Sequence, residues 1–228
     1  MSDKFLISLT VLIATLVIFF GIYFESKNQN KQIRDDVVIE NNNLPSPKKV
    51  DKKTDIIIGN ENAEVFIIEY TDLEYVYCKK YNDEVYTKLV DKWSDEVGFV
   101  FRHFPLKKHL SSFMESVALE CANKLGGSDK FISFKDIVYS ESNSDGMFTE
   151  KKLDMIGLDI DLNLDDFKSC RNNQEIKDRI QDSYNEAIEA KVNVTPSVFI
   201  EVVATGQVIP VPADFETIDE SLKAFFSK

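Results

Sequence analysis

The side chains best suited to chemistry in this sequence are its three cysteines, Cys78, Cys121 and Cys170. A thiol can form a disulfide, exchange disulfides with another protein or bind a metal ion. An odd number of cysteines leaves one thiol free after any pairing within the chain. The two histidines, His103 and His109, have no nearby third ligand, so a zinc site of the usual kind is difficult to assemble. The sequence therefore predicts neither a metal site nor a cofactor.

Acidic side chains outnumber basic ones, 39 Asp and Glu against 27 Lys and Arg, and the formal net charge is −12. Such a charge repels phosphate backbones, which excludes nucleic-acid binding by a broad basic surface. The charge is unevenly distributed, because residues 1–54 have a net charge of +2 and leave −14 for residues 55–228. Phosphate-binding glycine loops, serine-nucleophile motifs and His-Glu-x-x-His motifs do not occur in the sequence.

An uncharged run, Phe5–Phe24, lies close to the N-terminus. As a helix rising about 1.5 Å per residue, it would span roughly 30 Å, the thickness of the hydrocarbon core of a bilayer. The run is longer than the apolar region of a secretory signal, and no convincing cleavage site follows it. We therefore expect a short tail at 1–4 and a single membrane anchor at 5–24. The polar residues 25–54 are typical of a tether.

Two apolar runs with a helical segment between them organise the next part of the chain. Val65–Tyr70 and Val97–Phe104 are almost continuously apolar, which is typical of strands buried on both faces of a sheet. Between them, apolar residues recur at roughly four-residue spacing from Tyr75 to Trp93 and predict a helix. A shorter strand begins near Asp55. The order strand, helix, strand requires a right-handed crossover and parallel pairing.

A long helical stretch follows at about residues 106–191. Its apolar spacing predicts helices at Leu110–Leu125, Phe131–Tyr139, Lys151–Ile156, Leu164–Cys170 and Glu175–Lys191. After it, Val194–Val203 and Gln207–Val211 are predicted to form a hairpin with Gly206 in the turn, and Phe215–Phe226 a final helix. We thus predict an α/β domain at 55–228 that contains a helical insertion.

Several motifs in this domain occur in the order and at the separations of a known family. They are Ile58–Val65, Phe66–Glu74, Tyr75–Tyr81, Phe99–Leu106, Ala118–Ala122 and Val194–Ile200. Together they resemble the DsbA-like, thioredoxin-fold thiol-disulfide oxidoreductases, and the resemblance covers nearly all of the chain from Thr54 onward. It implies a thioredoxin-like fold with a DsbA-type helical insertion. With the predicted anchor, it implies a single-pass protein of the cell membrane whose globular domain lies outside the cytoplasm.

The resemblance also assigns site residues, and one of them departs from the family. Members have Cys-Pro-x-Cys after the first central strand, where this chain has Tyr-Val-Tyr-Cys at 75–78. Tyr75 has no sulfur to form a mixed disulfide, so two-cysteine turnover through this motif is chemically impossible. Cys78 corresponds to the resolving cysteine, whose pKa burial would raise. Thr195-Pro196 matches the cis-proline turn that faces the motif, which implies a substrate-binding groove formed by Tyr75, Val76, Tyr77, Val194, Thr195 and Pro196.

Two functions stay open on the sequence. The first is an oxidoreductase or isomerase that uses Cys78 alone or works with the thiols of an unknown redox partner. The second is a non-redox chaperone or adaptor that uses the groove beside Thr195-Pro196 to bind exported or unfolded polypeptide segments. Cys121 and Cys170 lie on two predicted helices in contexts similar to those of the family. They form either a disulfide bridge or two buried free thiols.

Overall fold

The structure, a computed structural model, describes residues 46–142 and 148–227. The predicted anchor at 5–24 and most of the predicted tether lie outside these residues. Within the two described ranges, no helix is both long enough and apolar enough to cross a membrane.

A mixed sheet of five strands forms the centre of the described part of the chain. The strands are β1 (Ile56–Gly59), β2 (Val65–Thr71), β3 (Val97–His103), β4 (Ser197–Val202) and β5 (Gln207–Val211). Their order across the sheet is β1, β3, β2, β4, β5. Strands β2 and β3 are parallel, as predicted, and the other neighbouring strands are antiparallel.

Both faces of the sheet are covered, because β2 and β3 are buried at every position. Alternate residues of a strand point to opposite faces. Ile67 and Phe99 contribute to a large core on one face, whereas Ile68 and Val100 join a smaller core that includes Ala187. Burial on two faces explains why the sequences of both strands are apolar almost throughout.

The helical segment after β2 differs from the continuous helix predicted from Tyr75 to Trp93. It consists of α1 (Val76–Tyr81), a π-helical segment (Asn82–Tyr86) and α2 (Thr87–Trp93). The wider turn is held at Asn82, whose backbone carbonyl accepts a 2.8 Å hydrogen bond from Thr87 Oγ1 and whose side chain accepts one from the buried Lys135. Four-residue apolar spacing alone does not distinguish this turn from a regular α-helical one.

The helical insertion runs between β3 and β4. Its helices are α3 (Ser112–Glu141), α4 (Glu150–Asp159), α5 (Leu164–Asn172) and α6 (Gln174–Glu189), and α7 (Phe215–Phe226) follows β5. The two predicted helices at Leu110–Leu125 and Phe131–Tyr139 correspond to the halves of α3. The helix is interrupted between them at Gly127, whose φ of 69° is one that glycine tolerates best.

Residues 46–54, which the sequence assigned to the tether, lie against the domain, and we call them the N-terminal strap. The backbone N–H of Lys48 donates to Glu186 Oε1 (2.7 Å), and that of Val50 donates to Glu201 Oε2 (2.7 Å). Arg102 Nη1 donates to the Lys48 carbonyl (2.8 Å). The folded region therefore begins several residues before the boundary predicted at Asp55.

Candidate functional site

The candidate site lies where β2 ends and α1 begins. Tyr75 occupies the N-cap position of α1 in extended conformation, and its side chain makes no capping hydrogen bond. Cys78 follows in the first turn of the helix and is completely buried. The side chain at the head of the motif is thus a half-buried phenol, and the sulfur that follows it is fully buried.

The environment of Cys78 keeps its thiol protonated. Burial raises the pKa of Cys78 to about 12. The nearby hydroxyls of Thr195 and Thr71, and the backbone N–H of Asp72 at 3.5 Å from Sγ, only partly oppose the rise. Because thiolate is the attacking species in disulfide exchange, this thiol is a poor nucleophile near neutral pH.

The loop before β4 faces this thiol. The peptide bond between Thr195 and Pro196 is cis, and Thr195 is buried against Cys78. The preceding residue, Val194, is 54% exposed, and its carbonyl accepts a 2.6 Å hydrogen bond from Ser197 Oγ. The fold thus places Cys78, which directly follows the turn at 75–77, next to Thr195 in the loop at 194–196.

Tyr75 is part of an aromatic and cationic stack at the surface. Its ring makes an edge contact with the ring of Tyr77 and a tilted contact with that of His109, each with centroids 5.2 Å apart. The ammonium of Lys108 lies 4.6 Å from the centroid of the Tyr75 ring. The phenol therefore fills the position of the first sulfur with a ring that has defined contacts on more than one side.

Two buried acids tie the loop after β3 to this site, and sequence reasoning missed both of them. Asp72 Oδ2 accepts from the backbone N–H of Leu106 (2.7 Å) and lies 2.8 Å from Nδ1 of His109. Glu74 Oε2 accepts from the backbone N–H and the hydroxyl of Ser111, both at 2.9 Å. The available signal was the pair of acids immediately after an apolar strand, since buried carboxylates need hydrogen-bond donors.

A third acid, Glu115 on α3, is buried close to the other two. Neither of its carboxylate oxygens has a well-aligned hydrogen-bond partner among the described residues. Burial, together with the negative charges of Glu74 and Asp72, raises the pKa of Glu115 to about 8, and Ser111 opposes the rise. The carboxyl group is thus protonated at neutral pH.

The carboxyl group of Glu69, on β2, lies in the same buried region as Cys78. Burial raises the pKa of Glu69 to about 7, which hydrogen bonding from Thr71 and the positive charge of Lys135 oppose. Its charge contributes to the raised pKa of Cys78. A carboxyl group that titrates near neutral pH can accept or donate a proton inside the domain. The motif at 75–78, however, has a single cysteine and forms no disulfide.

Cys121 on α3 and Cys170 on α5 form a disulfide, with Cα atoms 5.8 Å apart. This resolves the alternative left open by the sequence and leaves Cys78 as the free thiol of the chain. No group of acidic, histidine and cysteine side chains in the described ranges is arranged to hold a metal ion.

The match to known proteins agrees with this architecture. A family model described as thioredoxin matches residues 51–224. The chain belongs to this thioredoxin family. Crystal structures of Pseudomonas aeruginosa DsbA2 and of oxidised BdbD from Bacillus subtilis have the same fold. DsbA2 gives a TM-score of 0.64 at 24% identity, over 79% of this chain and 98% of DsbA2. BdbD gives 0.68 at 18% identity, over 82% of this chain and 100% of BdbD.

Among curated relatives, this DsbA-like domain is similar to parts of longer proteins. It is 28% identical over 162 residues to the Na(+)/H(+) antiporter NhaA 1 of Mycobacterium sp. (strain KMS), a match that covers 67% of this chain and 24% of the antiporter. It is 25% identical over 164 residues to the "Putative protein-disulfide oxidoreductase" of Rickettsia felis, a match that covers 69% of this chain and 56% of that protein. The chain thus spans about a quarter and about half of the lengths of these relatives.

Proposed function

We propose that this member of the DsbA-like family binds extended segments of exported polypeptides without two-cysteine redox turnover. We further propose that residues 5–24 anchor it in the cell membrane with the globular domain outside the cytoplasm. The observation that carries the first proposal is the contrast at the head of α1. Tyr75, which is half-buried, stands where the attacking thiolate would be needed, and Cys78 in the first turn of α1 is fully buried.

An apolar surface beside the cis-proline turn supports peptide binding. Val76 and Tyr77 are 48% and 60% exposed, and Val194 on the facing loop is similarly exposed. Leu110, which follows His109 beside the ring of Tyr75, is 87% exposed. In the family, backbone atoms of the residue before the cis-proline pair with an extended substrate, and that contact requires no sulfur. A bound peptide strand would form main-chain hydrogen bonds with the residue before the cis-proline, and its side chains would be buried against the apolar surface.

The membrane location is supported by the uncharged run at 5–24 and by the family of the domain. The bridge between Cys121 and Cys170 suits an oxidising compartment, because thiols are kept reduced in most cytosols. Protease treatment of intact cells and of inside-out vesicles tests this part. We expect digestion of the domain in intact cells, and protection there with digestion in the inverted vesicles would contradict it.

The redox part is tested by alkylating the full-length chain before and after denaturation. Because burial raises the pKa of Cys78 to about 12, we expect iodoacetamide to modify it only in the denatured protein. We also expect no catalysis of disulfide reduction in insulin. Rapid alkylation of the native protein, together with an activity that Cys78→Ser removes, would favour the monothiol enzyme instead.

The binding part is tested with a labelled extended peptide, the full-length chain in neutral detergent and two matched substitutions. Val194→Asp places a charge beside the cis-proline turn, and we expect it to weaken peptide binding at least about fivefold, since a carboxylate would be desolvated in the groove. Val203→Asp is the control, because Val203 is 49% exposed but lies after the far end of β4. Equal binding by the two variants and the wild type would contradict the proposed groove.

A further inference from the structure

The exposed charge next to the site is opposite in sign to that of the domain. Residues 55–228 have a net charge of −14, yet the loop after β3 carries Lys107 and Lys108, both exposed, and no acid between Pro105 and Leu110. The acids that contact this loop, Asp72 and Glu74, are buried and engaged in hydrogen bonds. Positive charge therefore faces solvent here while the neighbouring negative charge does not.

The loop that carries Lys107 and Lys108 is fixed in place by these buried acids. Asp72 holds the loop by the backbone N–H of Leu106 and the ring of His109, which stand immediately before and after the lysine pair. Lys108 in turn lies over the ring of Tyr75. The cations are thus part of the rim of the candidate groove, and they lie on a loop with a defined conformation.

These two ammonium groups also differ from the lysines of α1. Lys79 and Lys80 form ion pairs with Asp83 and Glu84, one turn further along the helix. In the described part of the chain, no carboxylate lies within ion-pairing distance of Lys107 or Lys108. Among the residues that the structure describes, their charge is therefore not neutralised by an ion pair.

We infer that the groove selects polypeptide segments in which Asp or Glu lies next to an apolar residue. This inference rests on the peptide-binding function proposed above. The apolar residue would pack against Tyr77, Leu110 and Val194, and the carboxylate would reach Lys107 or Lys108 at the rim. Rim charges of this kind add little to affinity but discriminate between partners of opposite sign.

A polypeptide fits this arrangement better than an anionic lipid surface. Exposed charges act over about 8–10 Å at physiological salt, so a short segment responds mainly to the local pair of cations. A bilayer is much larger than that distance and would also meet other parts of this acidic domain. The net charge of −14 on residues 55–228 therefore opposes docking on anionic lipid.

The test uses the full-length chain in neutral detergent and three fluorescein-labelled peptides. They share length and apolar residues and carry Asp, Asn or Lys at the flanking positions. We expect the Asp peptide to bind about three- to tenfold more tightly than the Asn peptide at about 0.05 M salt, and the Lys peptide to bind more weakly than both. The differences should shrink at about 0.5 M salt, where charges are screened within a few ångströms.

Two pairs of substitutions locate the effect. Lys107→Gln with Lys108→Gln should make the three peptides bind equally, whereas Lys107→Arg with Lys108→Arg should keep the preference. The control, Lys124→Gln with Lys151→Gln, removes the same charge from two exposed lysines on α3 and α4 and should also keep it. All four positions are exposed, so folding is expected to be unaffected.

The outcomes distinguish this inference from the proposed function. Equal binding of the three peptides by the wild type would overturn the charge selection and leave peptide binding standing. A complete lack of binding would overturn both. Release of the bound Asp peptide by phosphatidylserine mixed into the detergent micelles, but not by phosphatidylcholine, would assign the two lysines to a lipid surface and overturn the inference.

Discussion

Tyr75 occupies the position at which a sulfur would gain most from the N-terminus of a helix. A cysteine introduced there lies three residues before Cys78, in the spacing that the DsbA-like fold uses for a disulfide. We therefore expect Tyr75→Cys combined with Val76→Pro to oxidise to a reducible bridge with Cys78, since the backbone of α1 already begins at the required residue. Mass spectrometry after alkylation, with and without reductant, measures the bridge.

The control for this restoration is Tyr77→Cys. It adds a thiol next to Cys78 in sequence, at a position that is 60% exposed, and a bridge between adjacent helical residues is geometrically unfavourable. We expect the new thiol to be alkylated in the native protein while Cys78 is not. A double variant at 75 and 76 that stays fully reduced under oxidising conditions would count against a working geometry at this site.

Glu115 makes the stability of the domain depend on pH. Its pKa is raised from 4.5 to about 8 in the folded chain, so the folded state keeps a proton that the unfolded chain loses. The stabilising contribution of the protonated form is complete below pH about 4.5 and is lost as the pH rises toward 8. We expect Glu115→Gln to be more stable than the wild type at pH 8, by a few kcal/mol at most, with a flatter pH profile.

Urea unfolding at several pH values measures this effect. Glu69, whose pKa is raised to about 7, adds a dependence of the same sign that the variant keeps. Glu61→Gln, at an exposed position in the turn before β2, is the matched control and should follow the wild-type profile. A wild type whose unfolding free energy does not fall between pH 5 and 8 would refute the assignment.

The disulfide between α3 and α5 joins two helices of the insertion. The two cysteines are 49 positions apart in sequence. For a loop of that length, loop-closure entropy predicts a stabilisation of the folded state by about 4 kcal/mol. We expect Cys121→Ala with Cys170→Ala to lose about 2–4 kcal/mol of unfolding free energy while peptide binding at the groove persists. Dithiothreitol should lower the stability of the wild type but not that of the variant. Equal stability of both proteins without reductant would show that the bridge is not a stabilising element.

Most of the secondary structure could be predicted from the sequence, because β2, β3 and the helices have strong apolar periodicity. The family and its fold, predicted from ordered motifs, are confirmed. The π-helical turn at Asn82 could not be predicted, since it depends on Lys135, more than fifty residues away. The roles of Asp72 and Glu74 could not be predicted either, because their hydrogen-bond donors lie in the segment that follows β3.

The start of the folded region also could not be predicted from local sequence patterns. The strap is polar in sequence and resembles a linker, yet its backbone supplies partners for buried charged side chains on three separate elements. Arg102 is 7% exposed on β3, and Glu186 and Glu201 are similarly buried on α6 and β4. The composition of a segment predicts how much apolar surface the segment itself can bury. It does not predict whether buried charged side chains elsewhere in the chain form hydrogen bonds with its backbone.

The strap therefore belongs to the domain, and shortening the chain tests this. A protein of residues 46–228 retains the strap, whereas one of residues 51–228 lacks the backbone groups at Lys48 and Val50 that Glu186, Glu201 and Arg102 contact. Removing the partner of a buried charge costs about 1–3 kcal/mol for each group left unsatisfied. We expect the shorter protein to be less stable by about 2–5 kcal/mol in urea unfolding at neutral pH. Equal stability would mean that water replaces these contacts without cost and that the domain ends near the boundary predicted from the sequence.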